Sequence, residues 1–229
     1  MISTVSEYVQ KNPKLALYAE HMNTLMIDND TILGEFKNMI SQKYEHHRPR
    51  LLILLGNPSL LLRDEYRELW GDIPIVLCSE EKFIGPKDTY IYKQPVTQAE
   101  RVPISQLADP YNLVLLYSNL YLRENIQLIS HIIPDMKKFI FIGDEREVNQ
   151  TNNQEIQTKL KTINPNIEYQ YITPQKMTTN QLLDSLYHVD PNTTGILFAS
   201  WFYKTTFAGN TSLVTNAHTV SYTHLRAHE

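Results

Sequence analysis

The chain has 229 residues, 42% of them hydrophobic and 20% charged, with a formal net charge of -4. That length suits one large α/β domain or two lobes of roughly 100 residues each. The basic residues are scattered, which speaks against a nucleic-acid surface, no apolar run approaches the ~20 residues that span a bilayer, and the single cysteine, Cys78, excludes an intramolecular disulfide.

In chain order, the opening MISTVSEYVQKNPK lacks the charged start and apolar core of a signal peptide. LALYAEHM, 15 to 22, is the first apolar run and reads as a strand, with His21 at its end. Thr31 to Tyr44 carries Ile32, Leu33, Phe36, Met39 and Ile40 at helical spacing, with Asp30 as its N-cap. LLILLGNP, 51 to 58, is apolar without alternation and predicts a strand buried on both faces. RDEYRELW, 63 to 70, predicts a helix, and IPIVLCSE, 73 to 80, the next strand, with Cys78 a small buried residue near its end. This alternation is the signature of a parallel sheet with helices on its faces.

Residues 81 to 112 break the rhythm with Pro86, Pro95, Pro103 and Pro110, and predict an irregular excursion with one short strand at TYIY. NLVLLY, 112 to 117, resumes as a strand. A helix over 120 to 132 leads to the strand FIFIGDE, a helix over 153 to 162 to IEYQYI at 167 to 172, and a helix over 179 to 187 to GILFASWF at 195 to 202. The pattern occurs twice around a break, so two doubly wound lobes in tandem are the simplest reading and one long sheet the alternative. Ligands of such sheets bind beyond the carboxyl ends of the strands. The loops GNPS (56 to 59), SEE (79 to 81), GDE (143 to 145) and SWFYK (200 to 204) are therefore the candidate walls of a cleft.

Little in these loops resembles catalytic machinery. No glycine-rich phosphate loop and no G-x-S-x-G elbow occurs, and the eight histidines form no metal-ligand spacing. Asp144 and Glu145 end a strand as a phosphoacceptor would, but the other acids and the lysine of a receiver site are missing at receiver spacing. Adjacent carboxylates on an extended chain also point apart, a poor acid–base pair. Asp144 and Glu145 are therefore expected on the rim of a binding cleft, without chemistry. Trp201, Phe202 and Tyr203 predict core packing with one ring facing the cleft.

Three stretches, LLILLGNPSLLLRDEYRELWGDIPIVLCSEE, ENIQLISHIIPDMKKFIFIGDE and MTTNQLLDSL through GILFASWF, together resemble the periplasmic sensor region of Bacteroidetes-type hybrid two-component histidine kinases. That region is in turn similar to the substrate-binding proteins of ABC transporters with the type I periplasmic-binding fold. The resemblance covers roughly residues 8 to 218. It implies two Rossmann-like lobes truncated at both ends: 1–115 as a first lobe lacking its first strand, 116–219 as an incomplete second lobe. Residues 220–229, which resemble translated adapter sequence, would be a non-native tail.

The function the resemblance implies is small-molecule sensing in the periplasm, with no catalysis and no cofactor. The ligand would bind between the lobes, and the signal would pass to a kinase region of the same full-length, inner-membrane-anchored chain. A homodimer is compatible with such a receptor. The positions carried over as ligand-binding candidates are Gly56, Asn57, Ser59, Ser79, Glu80, Asp144, Glu145, Ser200, Trp201 and Phe202. A free-standing substrate-binding protein of an ABC importer is the nearest alternative. An enzyme of flavodoxin-like or glycosyltransferase-like build is more distant.

Overall fold

The computed structural model describes the backbone of residues 2–207 and 210–215 and the side chains of 4–203, so the expected tail at 220–229 lies outside the described residues. It is a mixed α/β structure built on two separate parallel sheets, compatible with a Rossmann-like fold.

The first half begins with α1 (Ile2–Gln10). The apolar run at 15 to 22 forms no strand; Leu15, Leu17 and Tyr18 are exposed, and so is His21. Side chains fasten it to α2. Glu20 accepts hydrogen bonds from Tyr44 and Lys43, and the Tyr18 ring stands edge-on to Tyr44 at 5.9 Å. Helix α2 (Asp30–Tyr44) starts where its periodicity predicts, but its N-cap is Asn29, whose Oδ1 accepts from the Ile32 N–H at 2.9 Å.

Strand β1 (Leu52–Leu55), helix α3 (Arg63–Trp70) and strand β2 (Ile75–Ser79) follow. The excursion then holds a two-stranded antiparallel ribbon, β3 (Phe83–Ile84) with β4 (Val102–Pro103), and between them α4 (Lys87–Ile91). TYIY was expected as a strand, yet its first three residues are helical and all buried. Pro86 sits at the N-cap, where a fixed φ suits helix entry, and the Tyr90 hydroxyl accepts from the Gly85 N–H at 3.0 Å. Strand β5 (Leu113–Tyr117) completes a parallel sheet in the order β1-β2-β5.

One face of this sheet packs Leu54, Ile75, Leu77 and Leu113 against α2 and α3. The opposite face leaves Ile53, Leu55, Val114 and Leu116 exposed and Cys78 half-buried. Strand β1 is therefore covered on one face, not on both as its unbroken apolar run suggested: α2 and α3 both spend their apolar stripes on the same core.

Strand β5 straddles the boundary expected at residue 115/116 and belongs wholly to the first sheet, so the chain crosses to the second sheet through 118–121. The second half runs α5 (Leu122–Ile132), β6 (Lys138–Ile142), α6 (Glu147–Ile163), β7 (Glu168–Ile172), α7 (Thr179–Tyr187) and β8 (Thr194–Phe198). Its sheet is parallel in the order β7-β6-β8. Phe139 and Phe141 pack with α5 and α6 on one face, while Ile140 and Ile142 pack with α7 on the other. Full burial of such a side chain contributes about 1.5–3 kcal/mol, so β6 is the anchor of this half.

Two local features tighten this half. A Cβ on Gly195 would stand 2.5 Å from Met136 Sδ and 2.6 Å from Ile129 Cγ2, so glycine is what lets α5 approach β8. GILFASWF is not one strand: after Ala199 donates its N–H to Ile142, Ser200 and Trp201 turn inward, and a new strand β9 (Phe202–Phe207) pairs antiparallel with β10 (Asn210–Thr215). Each hydrophobic cluster draws its residues from one half only. Arg101 of the first half reaches across to the second, pairing with Glu147 and donating to Thr151.

Candidate functional site

The carboxyl ends of the second sheet open onto a cleft of about 260 Å³. Glu145 follows β6, Gln175 follows β7, and Phe202 and Tyr203 follow β8; together they form one wall. The facing wall comes from the first half: Leu25 and Asp28 before α2, and Ile91, Tyr92 and Lys93 at the end of α4. The Lys93 ammonium donates to the carbonyls of Tyr90 and Thr24, and the Tyr92 hydroxyl donates to Asp30 at 3.1 Å. Aromatic rings and a few fixed polar groups are the ordinary composition of a small-molecule pocket.

Of the ten residues expected to touch a ligand, Glu145 and Phe202 line this cleft. Asp144 does not reach the rim. Its side chain is 0% exposed, and both carboxylate oxygens are occupied. Oδ1 accepts from the Arg146 backbone N–H at 3.0 Å, from Arg146 Nε at 2.9 Å and from Asn149 Nδ2 at 2.8 Å. Oδ2 accepts from Arg146 Nη2 at 3.0 Å and from Ser200 Oγ at 2.7 Å. The carboxylate thus ties the ends of β6 and β8 to the first turn of α6, and it sets Arg146 4.7 Å over the Phe202 ring. Ser200 belongs to the same buried knot. Trp201 is core, 2% exposed among Ile140, Ile142, Ile172 and Leu182, with Nε1 donating to Thr179 at 3.1 Å.

The remaining expected residues gather elsewhere, at the carboxyl end of the first sheet. Gly56 takes φ +83°, a left-handed value open to glycine, and lets the chain leave β1; its carbonyl accepts from Ser59 Oγ at 2.6 Å. Asn57 is buried, accepts from Ser79 Oγ at 2.6 Å and donates to Glu81 at 3.0 Å. Glu80 is exposed; its neighbour Glu81 is the acid turned inward.

Glu81 leads to a cluster that lies between the halves. Arg101 Nη1 lies 3.4 Å from Glu81, while Arg101 Nη2 pairs with Glu147 and donates to Thr151 Oγ1 at 2.8 Å. Thr151 in turn donates to Glu147 at 3.0 Å. The three charged side chains are only 8% (Arg101), 12% (Glu81) and 5% (Glu147) exposed. Burial, then the charge of Glu147 and a hydrogen bond with it, push the Glu81 carboxyl up to about 8, against the opposing pull of Arg101. The Tyr90 hydroxyl faces the same cluster and is pushed up by burial and by Glu147.

Sequence reading placed Glu81 in the candidate loop 79 to 81 but singled out Glu80 there, and it missed Arg101 and Glu147. One signal was available: Ile75, Leu77 and Ser79 alternate inward along β2, and the same two-residue period carried past the strand end selects Glu81 over Glu80. Nothing comparable marks Arg101, which lies in the proline-rich excursion.

Among the described residues no group of His, Cys, Asp and Glu could hold a metal ion, and no helix is long and apolar enough to cross a membrane. Comparisons with protein-family models, with curated proteins and with solved structures give no match to this chain.

Proposed function

We propose that this chain is a ligand-binding sensor module of the periplasm, with two lobes of the type I periplasmic-binding kind that hold a small molecule between them. Full-length, it would be an inner-membrane receptor passing ligand occupancy to its histidine kinase region. The observation that carries the reading is the shared cleft, with Glu145, Gln175 and Phe202 supplied just past three parallel strands and Ile91 to Lys93 supplied by the other half. Separate hydrophobic cores and a polar junction favour walls that can move relative to one another.

A thermal-shift screen of small metabolites against the isolated chain tests the binding step. A true ligand raises the melting temperature in proportion to its occupancy. Phe202→Ala and Glu145→Ala should remove that rise while leaving the ligand-free melting temperature within a few degrees. If the rise survives both substitutions, the ligand sits elsewhere. If the ligand leaves kinase autophosphorylation in the full-length receptor unchanged, the importer-associated binding protein becomes the better reading.

A further inference from the structure

The Glu81–Arg101–Glu147 cluster has a composition that pure structural pairing does not need. Two carboxyl groups share one guanidinium in a site almost closed to water. With both ionised the cluster carries an uncompensated negative charge, which a buried site strongly disfavours. With one proton between them it is neutral, and the protonated acid donates to its neighbour. The cluster is also divided between the halves. Glu81 and Arg101 belong to the first half, at the end of β2 and in the excursion; Glu147 and Thr151 belong to the first turns of α6 in the second. It adjoins the cleft, since Ile91 to Lys93 follow Tyr90 directly and Glu145 lies two residues before Glu147.

We propose that this cluster is a proton-operated latch: it joins the two halves while one proton is held between Glu81 and Glu147, and parting the cleft walls releases that proton to solvent. The inference rests on the reading of the cleft as a gap with movable walls. The groups facing Glu81 are Glu147 from α6, Arg101 from the excursion and the Tyr90 hydroxyl from α4, with Asn57 as a neutral donor. Of these groups it is the Glu81 carboxyl that is moved toward neutral pH, while the Tyr90 hydroxyl is pushed further upward.

The sign follows from linkage. Closed, Glu81 keeps its proton to about pH 8; parted, it returns toward the ordinary 4.5. The closed state is therefore fully favoured below about pH 4.5 and loses ground by about tenfold per pH unit as pH rises toward 8, above which the loss levels off. A ligand that binds the closed state should take up a proton on binding in that window.

Spin labels on Glu68→Cys and Lys161→Cys, in a Cys78→Ser background, report the separation of α3 from α6. The expected result is a longer-distance population that grows between pH 6 and 8, and an unvarying distribution in Glu81→Gln, whose carboxamide mimics the protonated acid. Glu147→Gln, which leaves one carboxylate to one guanidinium, should also flatten the response and serves if Glu81→Gln fails to fold. An identical pH response in the substituted proteins overturns the latch. So does a distance fixed at all pH values in the wild type. Neither result touches the cleft itself, which stands or falls on the ligand-induced thermal shift.

Discussion

Asp144 shows how far a single residue can depart from its apparent role. A strand that ends in Gly-Asp-Glu advertises an acid at a ligand-facing edge, and the sequence rightly placed it beyond the carboxyl end of a buried strand. What the sequence could not show is that Arg146, Asn149 and Ser200 converge on it, because Ser200 arrives from a distant strand. Gly143 fits the same picture: a Cβ there would meet Asn149 and Tyr171 at 3.2 Å, so the glycine serves close packing. Asp144→Asn places an amide N–H₂ among donors and weakens a charge-assisted pair. We expect a stability loss of about 1–3 kcal/mol, read as a lower midpoint in urea, with ligand affinity affected only through the fold. A midpoint unchanged from wild type together with weakened ligand binding would restore the rim reading.

At the scale of elements, α3 and α7 were legible to the residue. Amphipathic spacing and local caps act within a few positions, and Thr178 with Gln181 forms a reciprocal capping box at the start of α7. TYIY was misread because β-branched and aromatic residues favour strands on average, while here burial of Thr89, Tyr90 and Ile91 overrides that preference. The start of α6 was hidden by polar residues, two of which, Asn149 and Asn152, are buried. The first sheet misled in the opposite way, since apolar side chains alone do not say whether anything covers them. Strand register sets Ile53, Val76 and Val114 in one row and Leu55, Cys78 and Leu116 in the next. On the bare side, Val114→Thr with Leu116→Thr should change stability by no more than about 0.5 kcal/mol and reduce binding of a hydrophobic dye. On the packed side, Leu77→Ala should cost about 2–5 kcal/mol. Equal costs on the two sides, measured by chemical denaturation, would mean that the bare face is covered in solution.

At the scale of the whole molecule, the repeated alternation of strand and helix correctly separated the strands into two sheets, because that periodicity is written into each segment. The junction between the halves was invisible for the converse reason. Its charged residues, Glu81, Arg101 and Glu147, come from three separated segments, and no spacing rule relates one to another. Polar contacts of this kind specify how two bodies meet while adding little net adhesion. The two sheets also differ in their cover, and that difference reaches into time. The backbone amides of Phe139 to Ile142 lie in a central strand with packed side chains on both faces, so they can meet deuterium only when the second half opens as a unit. Strands β1 and β5 are edges with one bare side, and local fraying suffices to expose them. Hydrogen exchange should therefore be slowest at 139–142 and faster by orders of magnitude along β1 and β5, a ranking that matching rates in the two sheets would refute. Under brief proteolysis the same ordering makes the second half the surviving fragment, and on refolding the first to acquire protected amides.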